Sequence, residues 1–215
     1  MRGIIGEKYI VDVEMRKMKL ERDFYMGETL DVGKALLGKI VVSNIGGKCV
    51  KGRIVETECY IGPDDKAAHA YGGKRGGRCE IQFGEGGYAY IYLIYGMYCC
   101  FNIVTNGKDK PESVLIRALE PVEGFEVMKE RRNTDKVKNF LNGPGKLCKG
   151  LGIGREHYGE DLCGELLYLE DDGYVVKKED IEESKRINID YAEEAKDYLW
   201  RFTIRGNEFV SVKVK

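Results

Sequence analysis

Two carboxylates and a tyrosine in one short segment are the residues best suited to do chemistry. The segment reads GRIVETECYIGPDD, and the β-branched pair Ile54 and Val55 predicts a strand. Side chains alternate along a strand, so Glu56, Glu58 and Tyr60 should share one face. A solvated strand explains one exposed carboxylate. Two carboxylates beside a tyrosine, just before a Gly-Pro turn, suggest a site for acid–base chemistry instead.

An arginine and a histidine are candidates to join this face. Arg117 lies inside the apolar run VLIRAL, where a lone guanidinium is costly to bury, so we expect it to pair with Glu58 or Glu56. His69 follows the strand closely and is one of only two histidines. Taken alone, a Glu–Arg pair is more often structural than catalytic, and a single histidine is more often an ordinary surface or core residue.

A run of twenty uncharged residues, 88–107, contains five tyrosines in its first eleven positions. Its length calls for comparison with a membrane helix, but the tyrosines, the central Gly96, and Asn102 and Asn106 argue against one. We predict two buried strands that form a hairpin, with its tip at Tyr95-Gly96-Met97. Hairpin tips are normally polar, so an apolar tyrosine at this tip indicates a function.

The elements that must position these residues mix helices and strands without a regular βαβ alternation. The patterns predict a short helix ending at Gly38, a strand over 39–43, a buried strand from Ser113 that Pro121 ends, a helix in VEGFEVMKERR, a helical or loop-like segment over 179–200, and a final hairpin around Gly206-Asn207. We therefore predict one α+β domain over residues 1–215, with a curved, largely antiparallel sheet and a protruding β-hairpin. Residues 1–19 are predicted to be a poorly ordered or accessory segment.

Composition and charge narrow the classes of function. The chain is 43% hydrophobic and 33% charged, as in globular proteins, and its seven cysteines form no Cys-x-x-Cys pair. With no apolar leader visible, we predict a protein that is not secreted and that works in the cytoplasm or nucleus, with reduced thiols.

The net charge of −1 argues weakly against nucleic acid as a binding partner. However, residues 127–155 carry eight basic and two acidic side chains, whereas residues 156–198 carry five basic and fifteen acidic ones. This asymmetry suggests a face that meets a polyanion, although two ordinary solvated surfaces would produce it too.

Five motifs together carry a family resemblance. The motifs GRIVETECYIGPDDKAAHA, YIYLIYGMYCCFN, VLIRALEP, GPGKLCKGLGI and RFTIRG resemble, in order, the successive blocks of the alkyladenine (3-methyladenine) DNA glycosylase family of animals and bacteria. They span roughly residues 20 to 212. The resemblance implies a monofunctional DNA repair glycosylase without a metal or organic cofactor. Such an enzyme flips a damaged purine, such as 3-methyladenine, 7-methylguanine, hypoxanthine or ethenoadenine, out of duplex DNA and hydrolyses its N-glycosidic bond to leave an abasic site.

The resemblance also implies a role for each matching residue. Glu58, at the pocket floor, is the general base that activates water, and Arg117 helps to hold this water and the carboxylate. The remaining roles concern the base and the DNA: Tyr60 and Tyr92 as the walls of the base pocket, His69 at its edge, Asn102 as the group that disfavours guanine, Tyr95 as the intercalating wedge, Met97 and Tyr98 as flanking DNA contacts, and Lys146 as a phosphate contact.

This sequence departs from the family in the loop after His69, which reads YGGKRGGRCEIQFGEGG. The glycines should make this loop more flexible, although Lys74, Arg75 and Arg78 keep its positive charge. We expect a monomer whose partner is double-stranded DNA with damaged purines, and no membrane association. Two other functions remain open on this evidence, a nucleic-acid-binding module without catalysis and an enzyme that acts on RNA.

Overall fold

The computed structural model describes residues 18–214, so the predicted accessory segment 1–19 lies outside the described residues except for its last two positions. Within this range the chain forms nine strands and four α-helices. The strands are β1 (Met18–Lys19), β2 (Ile40–Ser43), β3 (Val50–Ile61), β4 (Ala89–Ile94), β5 (Tyr98–Val104), β6 (Glu112–Glu123), β7 (Leu167–Asp171), β8 (Ile181–Ser184) and β9 (Arg201–Ile204). The helices are α1 (Arg22–Tyr25), α2 (Thr29–Ala35), α3 (Phe125–Arg132) and α4 (Pro144–Leu151).

The strands form one sheet whose pairings in the described range are all antiparallel. The order is β1-β7-β2-β3-β6-β5-β4, and β9 pairs with both β3 and β8. Strand β3 is the centre of the sheet. Its first half pairs with β2, its second half pairs with β9, and β6 covers its other edge throughout. The register against β6 shifts between Ile54 and Thr57, and such bulges bend a strand. The predicted α+β class and antiparallel sheet are confirmed.

Helix α2 packs on the central strands and fixes which face of β3 is buried in the core. Thr57 Oγ1 donates a hydrogen bond to the Gly33 carbonyl at 2.9 Å, and a Cβ atom at Gly33 would collide with Cys59 Sγ. Thr57 and Cys59 therefore face α2. Because side chains alternate, Glu56 and Glu58 point to the opposite side of the sheet, as the sequence pattern predicts.

The predicted hairpin of strands is confirmed, with β4 and β5 paired and residues 95–97 in the turn. Three other expectations were wrong. Strand β6 continues past Pro121, which lies opposite Gly52 at a register shift that tolerates a missing N–H group. No hairpin follows β9 up to residue 214, because β9 pairs with β3 and β8 instead. The segment 179–200, predicted to be helical or loop-like, contains β8 because a distant strand completes its hydrogen bonds.

Candidate active site

The Glu58 carboxylate lies at the centre of the site and is fully buried. Its Oε1 atom accepts a hydrogen bond from the backbone N–H of Ile187 at 2.7 Å. Its Oε2 atom accepts from the Tyr60 hydroxyl at 2.9 Å and from Arg117 Nη1 at 3.2 Å. All three partners are hydrogen-bond donors. This environment suits an ionised carboxylate, because both of its oxygens can only accept hydrogen bonds.

Glu56 lies beside this group and is equally buried, but its partners differ. Its Oε1 atom accepts from Arg117 Nε at 3.0 Å and from Arg201 Nε at 2.7 Å, and its Oε2 atom accepts from the Ser211 N–H at 2.6 Å. Two glutamates thus face two arginines, so the buried cluster of Glu56, Glu58, Arg117 and Arg201 is neutral. The predicted pairing of Arg117 with a carboxylate is confirmed, and it involves both.

The charge of Arg117 is maintained by this cluster. Burial by itself would lower the pKa of its guanidinium, but the charges of Glu58 and Glu56 outweigh that effect and raise its pKa. The phenol of Tyr60 likewise has a pKa raised well above its usual value, because it is buried and lies beside Glu58. Tyr60 therefore remains a hydrogen-bond donor to Glu58 at any physiological pH.

A cleft of about 820 Å³ opens directly above this cluster. Tyr60, Arg117 and Ile187, the three hydrogen-bond donors to Glu58, all line it. Glu58 itself lies beneath this floor and has no exposed surface, which differs from its expected position at the floor. A water molecule can bond to Glu58 only if one of these donors moves aside.

A smaller cavity of about 40 Å³ continues inward from the cleft. It is lined by the four side chains that the sequence assigns to a base pocket, Tyr60, His69, Tyr92 and Asn102. Three of them, Tyr60, His69 and Tyr92, also line the outer cleft, so the two spaces are neighbours across the same side chains. The inner cavity alone is smaller than a purine. It has room for one edge of a ring.

His69 and Asn102 are both held in place by Tyr90. His69 Nδ1 shares a hydrogen bond with the Tyr90 hydroxyl at 2.6 Å, and Asn102 Nδ2 donates to the Tyr90 carbonyl at 3.1 Å. The His69 ring also meets the Tyr92 ring edge-on, with centroids 4.6 Å apart. Burial, with smaller contributions from Arg78 and Lys74, lowers the pKa of His69 to about 4. His69 is therefore neutral near pH 7.

The hairpin tip presents a tyrosine to solvent at the rim of the cleft. Tyr95 is 77% exposed, and its neighbours Met97 and Tyr98 are also exposed. Tyr95 has φ of 53° and Gly96 has φ of 71°, and the Met97 N–H donates to the Ile94 carbonyl at 3.3 Å. Two successive positive φ angles in a hairpin turn favour Asn and Gly. A tyrosine here is held against the backbone preference of L-residues, which is common at functional sites.

The rim of the cleft next to Tyr98 is basic. Helix α4 begins there at Pro144, after its N-cap residue Gly143, and the cleft is lined by Gly143, Pro144, Gly145, Lys146 and Arg132. Lys146 Nζ donates to Asn142 Oδ1 at 2.9 Å. Burial, and then the charge of Arg132, lowers the pKa of Lys146. A helix N-terminus with two nearby cations favours an anion such as a phosphate.

Comparison with known proteins decides the family. A sequence model described as "Methylpurine-DNA glycosylase (MPG)" matches residues 23–208, most of the chain. The chain belongs to this family. A protein of Clostridium perfringens strain SM101, named "Putative 3-methyladenine DNA glycosylase", is 51% identical over 205 residues, which cover 91% of this chain and 100% of the relative. Relatives with the same name from Clostridium acetobutylicum and Desulfitobacterium hafniense are 51% and 47% identical, over 92% and 91% of this chain and 100% and 99% of their own length.

The enzyme is thus a DNA glycosylase, a hydrolase of DNA repair with DNA as its substrate, and the resemblance seen in the sequence is confirmed. Among residues 18–214, every helix is too short or too polar to span a bilayer. In the same range no three His, Cys, Asp or Glu side chains cluster in a way that could hold a metal ion.

Sequence reasoning missed one part of this glycosylase site, the segment 186–191. Ile187 donates its N–H to Glu58, and Ile187, Asn188, Ile189 and Tyr191 line the cleft. The segment is anchored by the fully buried Arg186, which makes two hydrogen bonds to Asp65 at 2.5 and 2.8 Å. The available signal was the short run RINI, an arginine followed by alternating apolar residues inside an otherwise polar and acidic stretch.

Proposed function

We propose that this DNA glycosylase excises alkylated purines, 3-methyladenine above all, by flipping the damaged nucleotide into the cleft and hydrolysing its N-glycosidic bond with a water activated by Glu58. The observation that carries the proposal is a buried carboxylate, paired with Arg117, directly beneath a tyrosine-lined pocket. The names of the relatives support 3-methyladenine as the lesion.

The proposed chemistry uses the Oε2 atom of Glu58. Of its two partners there, the Tyr60 hydroxyl is the neutral one, so it is the easier contact for a water to replace when Tyr60 stacks on a base. The water oxygen attacks C1′ and its proton passes to Glu58, while the electron pair of the N-glycosidic bond leaves with the base. Arg117 keeps the carboxylate and the water in place. General-base catalysis of this kind contributes about 10²- to 10⁴-fold.

The pocket walls favour electron-poor rings. An N3- or N7-alkylated purine is cationic, and a cation–π contact with a tyrosine face is worth about 0.5–2 kcal/mol. The ring of Tyr60 is held by Arg186, whose Cζ lies 4.8 Å from the ring centroid. Cationic bases are also good leaving groups. Neutral lesions such as hypoxanthine and ethenoadenine lack both advantages, and their removal depends on fit to the inner cavity.

The rim residues supply the proposed grip on duplex DNA. Tyr95 fills the gap that the flipped nucleotide leaves, entering from the minor groove, and Met97 and Tyr98 flank it. Lys146, at the N-terminus of α4, neutralises a backbone phosphate. A single chain carries all of these groups, which supports a monomer as the acting species. The expected location, in a bacterial cytoplasm at the nucleoid or in a nucleus, stays a prediction.

The test is single-turnover release of base from duplexes that carry one lesion each. Release from alkylated DNA by the wild-type enzyme, and its loss in Glu58→Gln with DNA binding intact, would support the proposal. A folded protein that binds damaged DNA and releases no base would instead be a binding module. Competition between duplex DNA and duplex RNA separates the RNA alternative, because a minor-groove wedge suits B-form DNA better than A-form RNA.

A further inference from the structure

Gln82 is a buried polar residue of the pocket to which the mechanism above gives no role. It lies in the 3-10 helix Gly77–Phe83, in the loop after His69, and is only 1% exposed. Its Nε2 atom is buried and has no hydrogen-bond acceptor among residues 18–214. Buried amide groups are almost always paired, because an unpaired one loses its hydrogen bonds to water without replacement. An amide in this state inside a binding cavity suggests that a ligand completes its bonding.

Gln82 lines the inner cavity together with His69, Asn102 and Tyr90. Two hydrogen bonds join these residues: His69 Nδ1 bonds with the Tyr90 hydroxyl, and Asn102 Nδ2 donates to the Tyr90 backbone carbonyl. Gln82 takes part in neither bond. Its amide is therefore free to bond with whatever enters the cavity, as donor or acceptor according to how the amide group is rotated.

The position of the cavity determines which edge of a flipped base reaches Gln82. Arg117 lines the outer cleft and not the inner cavity, whereas Gln82 lines the inner cavity and not the cleft. A nucleotide that enters through the cleft keeps its sugar near Arg117, where the bond is broken. The base then points inward with the edge farthest from its glycosidic nitrogen, which in a purine is the N1 and C6 edge.

A carboxamide matches this edge chemically. It has one acceptor and two donor hydrogens side by side, and Gln and Asn pair in this way with the amino group and ring nitrogen of adenine. 3-Methyladenine presents an amino group at C6 beside N1. Hypoxanthine presents a carbonyl at C6 beside an N1–H group. Ethenoadenine presents the C–H groups of its extra ring and, at the former amino position, one acceptor nitrogen, so it offers an amide no donor–acceptor pair.

We propose that Gln82 is a specificity-determining residue that hydrogen-bonds the N1 and C6 edge of the flipped purine, and so favours lesions with a donor–acceptor pair on that edge over ethenoadenine, which lacks the pair. The proposal rests on the proposed function of the same pocket. Because Gln82 lies in the loop after His69, this loop would take part in base recognition as well as in any contact with DNA.

The test compares the wild-type enzyme, Gln82→Met and the control Ile81→Met. Methionine resembles glutamine in size and lacks the amide. Ile81→Met places the same residue one position away, on a side chain that does not line the cavity. Base release is measured under single-turnover conditions from otherwise identical duplexes with hypoxanthine or ethenoadenine. The ratio of the two rates, hypoxanthine over ethenoadenine, should fall about tenfold or more in Gln82→Met, as expected for loss of a buried hydrogen bond, and should not fall in Ile81→Met.

An unchanged ratio in Gln82→Met, or an equal fall in Ile81→Met, would overturn the proposal. A purely structural Gln82 predicts a lower unfolding midpoint for Gln82→Met, whereas an amide that awaits a ligand predicts an equal or higher one. If the wild-type enzyme releases no base even from alkylated DNA, the proposed function fails separately. The equilibrium affinities of wild type and Gln82→Met for the two duplexes then decide, because the same ratio should appear in binding.

Discussion

Replacing Glu58 by glutamine is the sharpest test of the proposed base, because the structure supplies a matched control two residues away. Glu58→Gln keeps the side-chain volume and an acceptor for the Ile187 N–H, but it removes a proton acceptor that bears charge. We expect base release to fall about 10²- to 10⁴-fold, the usual contribution of a general base. DNA binding should remain, since the fully buried Glu58 does not reach the surface of the cleft.

The same substitution should also lower the free energy of unfolding. It takes one negative charge from a buried cluster in which two glutamates balance two arginines, and removing one partner of a buried ion pair costs about 3–5 kcal/mol. Arg117 keeps its bond from Nε to Glu56 at 3.0 Å, so the loss for Glu58→Gln should lie at the low end, about 3 kcal/mol.

Glu56→Gln is the control because it changes the same chemistry in the same cluster. Glu56 accepts from both Arg117 and Arg201, so its replacement should destabilise the fold more, by about 5 kcal/mol, while base release by the folded fraction stays within about tenfold of wild type. Urea unfolding measures stability, fluorescence anisotropy measures DNA binding, and single-turnover release with alkaline cleavage of the abasic product measures catalysis. If Glu56→Gln loses as much catalysis as Glu58→Gln, or if Glu58→Gln retains release within about tenfold, Glu58 is not the base.

Three further predictions concern the rim and the pocket edge. Tyr95→Asn, which suits a positive φ, should raise stability in urea by about 1 kcal/mol and still lower base release; unchanged release would remove the wedge role. The pKa of His69 is lower in the folded than in the unfolded chain, so the unfolded chain takes up a proton first as the pH drops. The free energy of unfolding should therefore fall by up to about 3 kcal/mol between about pH 6.5 and about pH 4, and it should fall less in His69→Gln. Equal pH profiles for the two proteins would contradict the lowered pKa. Lys146→Met should make the slope of log affinity against log salt concentration shallower by about 1, the value of one phosphate contact, whatever the DNA sequence. An unchanged slope would remove the phosphate role.

The sequence could predict the features that depend on local spacing. Alternation along β3 placed Glu56 and Glu58 on one face, and the uncharged, tyrosine-rich run predicted the hairpin whose turn is residues 95–97. Partners that lie far away in the chain were not predictable in this way. β8 forms only because β9 completes its hydrogen bonds, and the polar sequence of β8 has no strand pattern of its own. The depth of Glu58 beneath the floor was also missed, since alternation gives a face and not a depth.

The segment 186–191 shows how the acidic part of the chain reaches the candidate site although its composition suggests a solvated surface. Asp65 accepts from the Ile61 N–H at 3.2 Å and from the Ala67 N–H at 2.9 Å, so it fixes the turn between β3 and His69. The same carboxylate binds Arg186, whose Nη1 also donates to the Cys59 carbonyl at 2.9 Å. One buried ion pair thus ties the end of β3 to the distant segment.

This tie has a chemical consequence at Glu58. Burying an ion pair contributes little net stability compared with apolar packing, so the Asp65–Arg186 pair is better understood as a positioning device. It places Arg186 against the Tyr60 ring and brings the N–H of the next residue, Ile187, to within 2.7 Å of Glu58 Oε1. Oε1 accepts this backbone bond, and in the proposed mechanism a water reaches Glu58 by replacing the Tyr60 hydroxyl at Oε2. We therefore expect the segment to position the proposed base through a backbone amide, a group that every residue type except proline provides and that no side-chain motif can reveal.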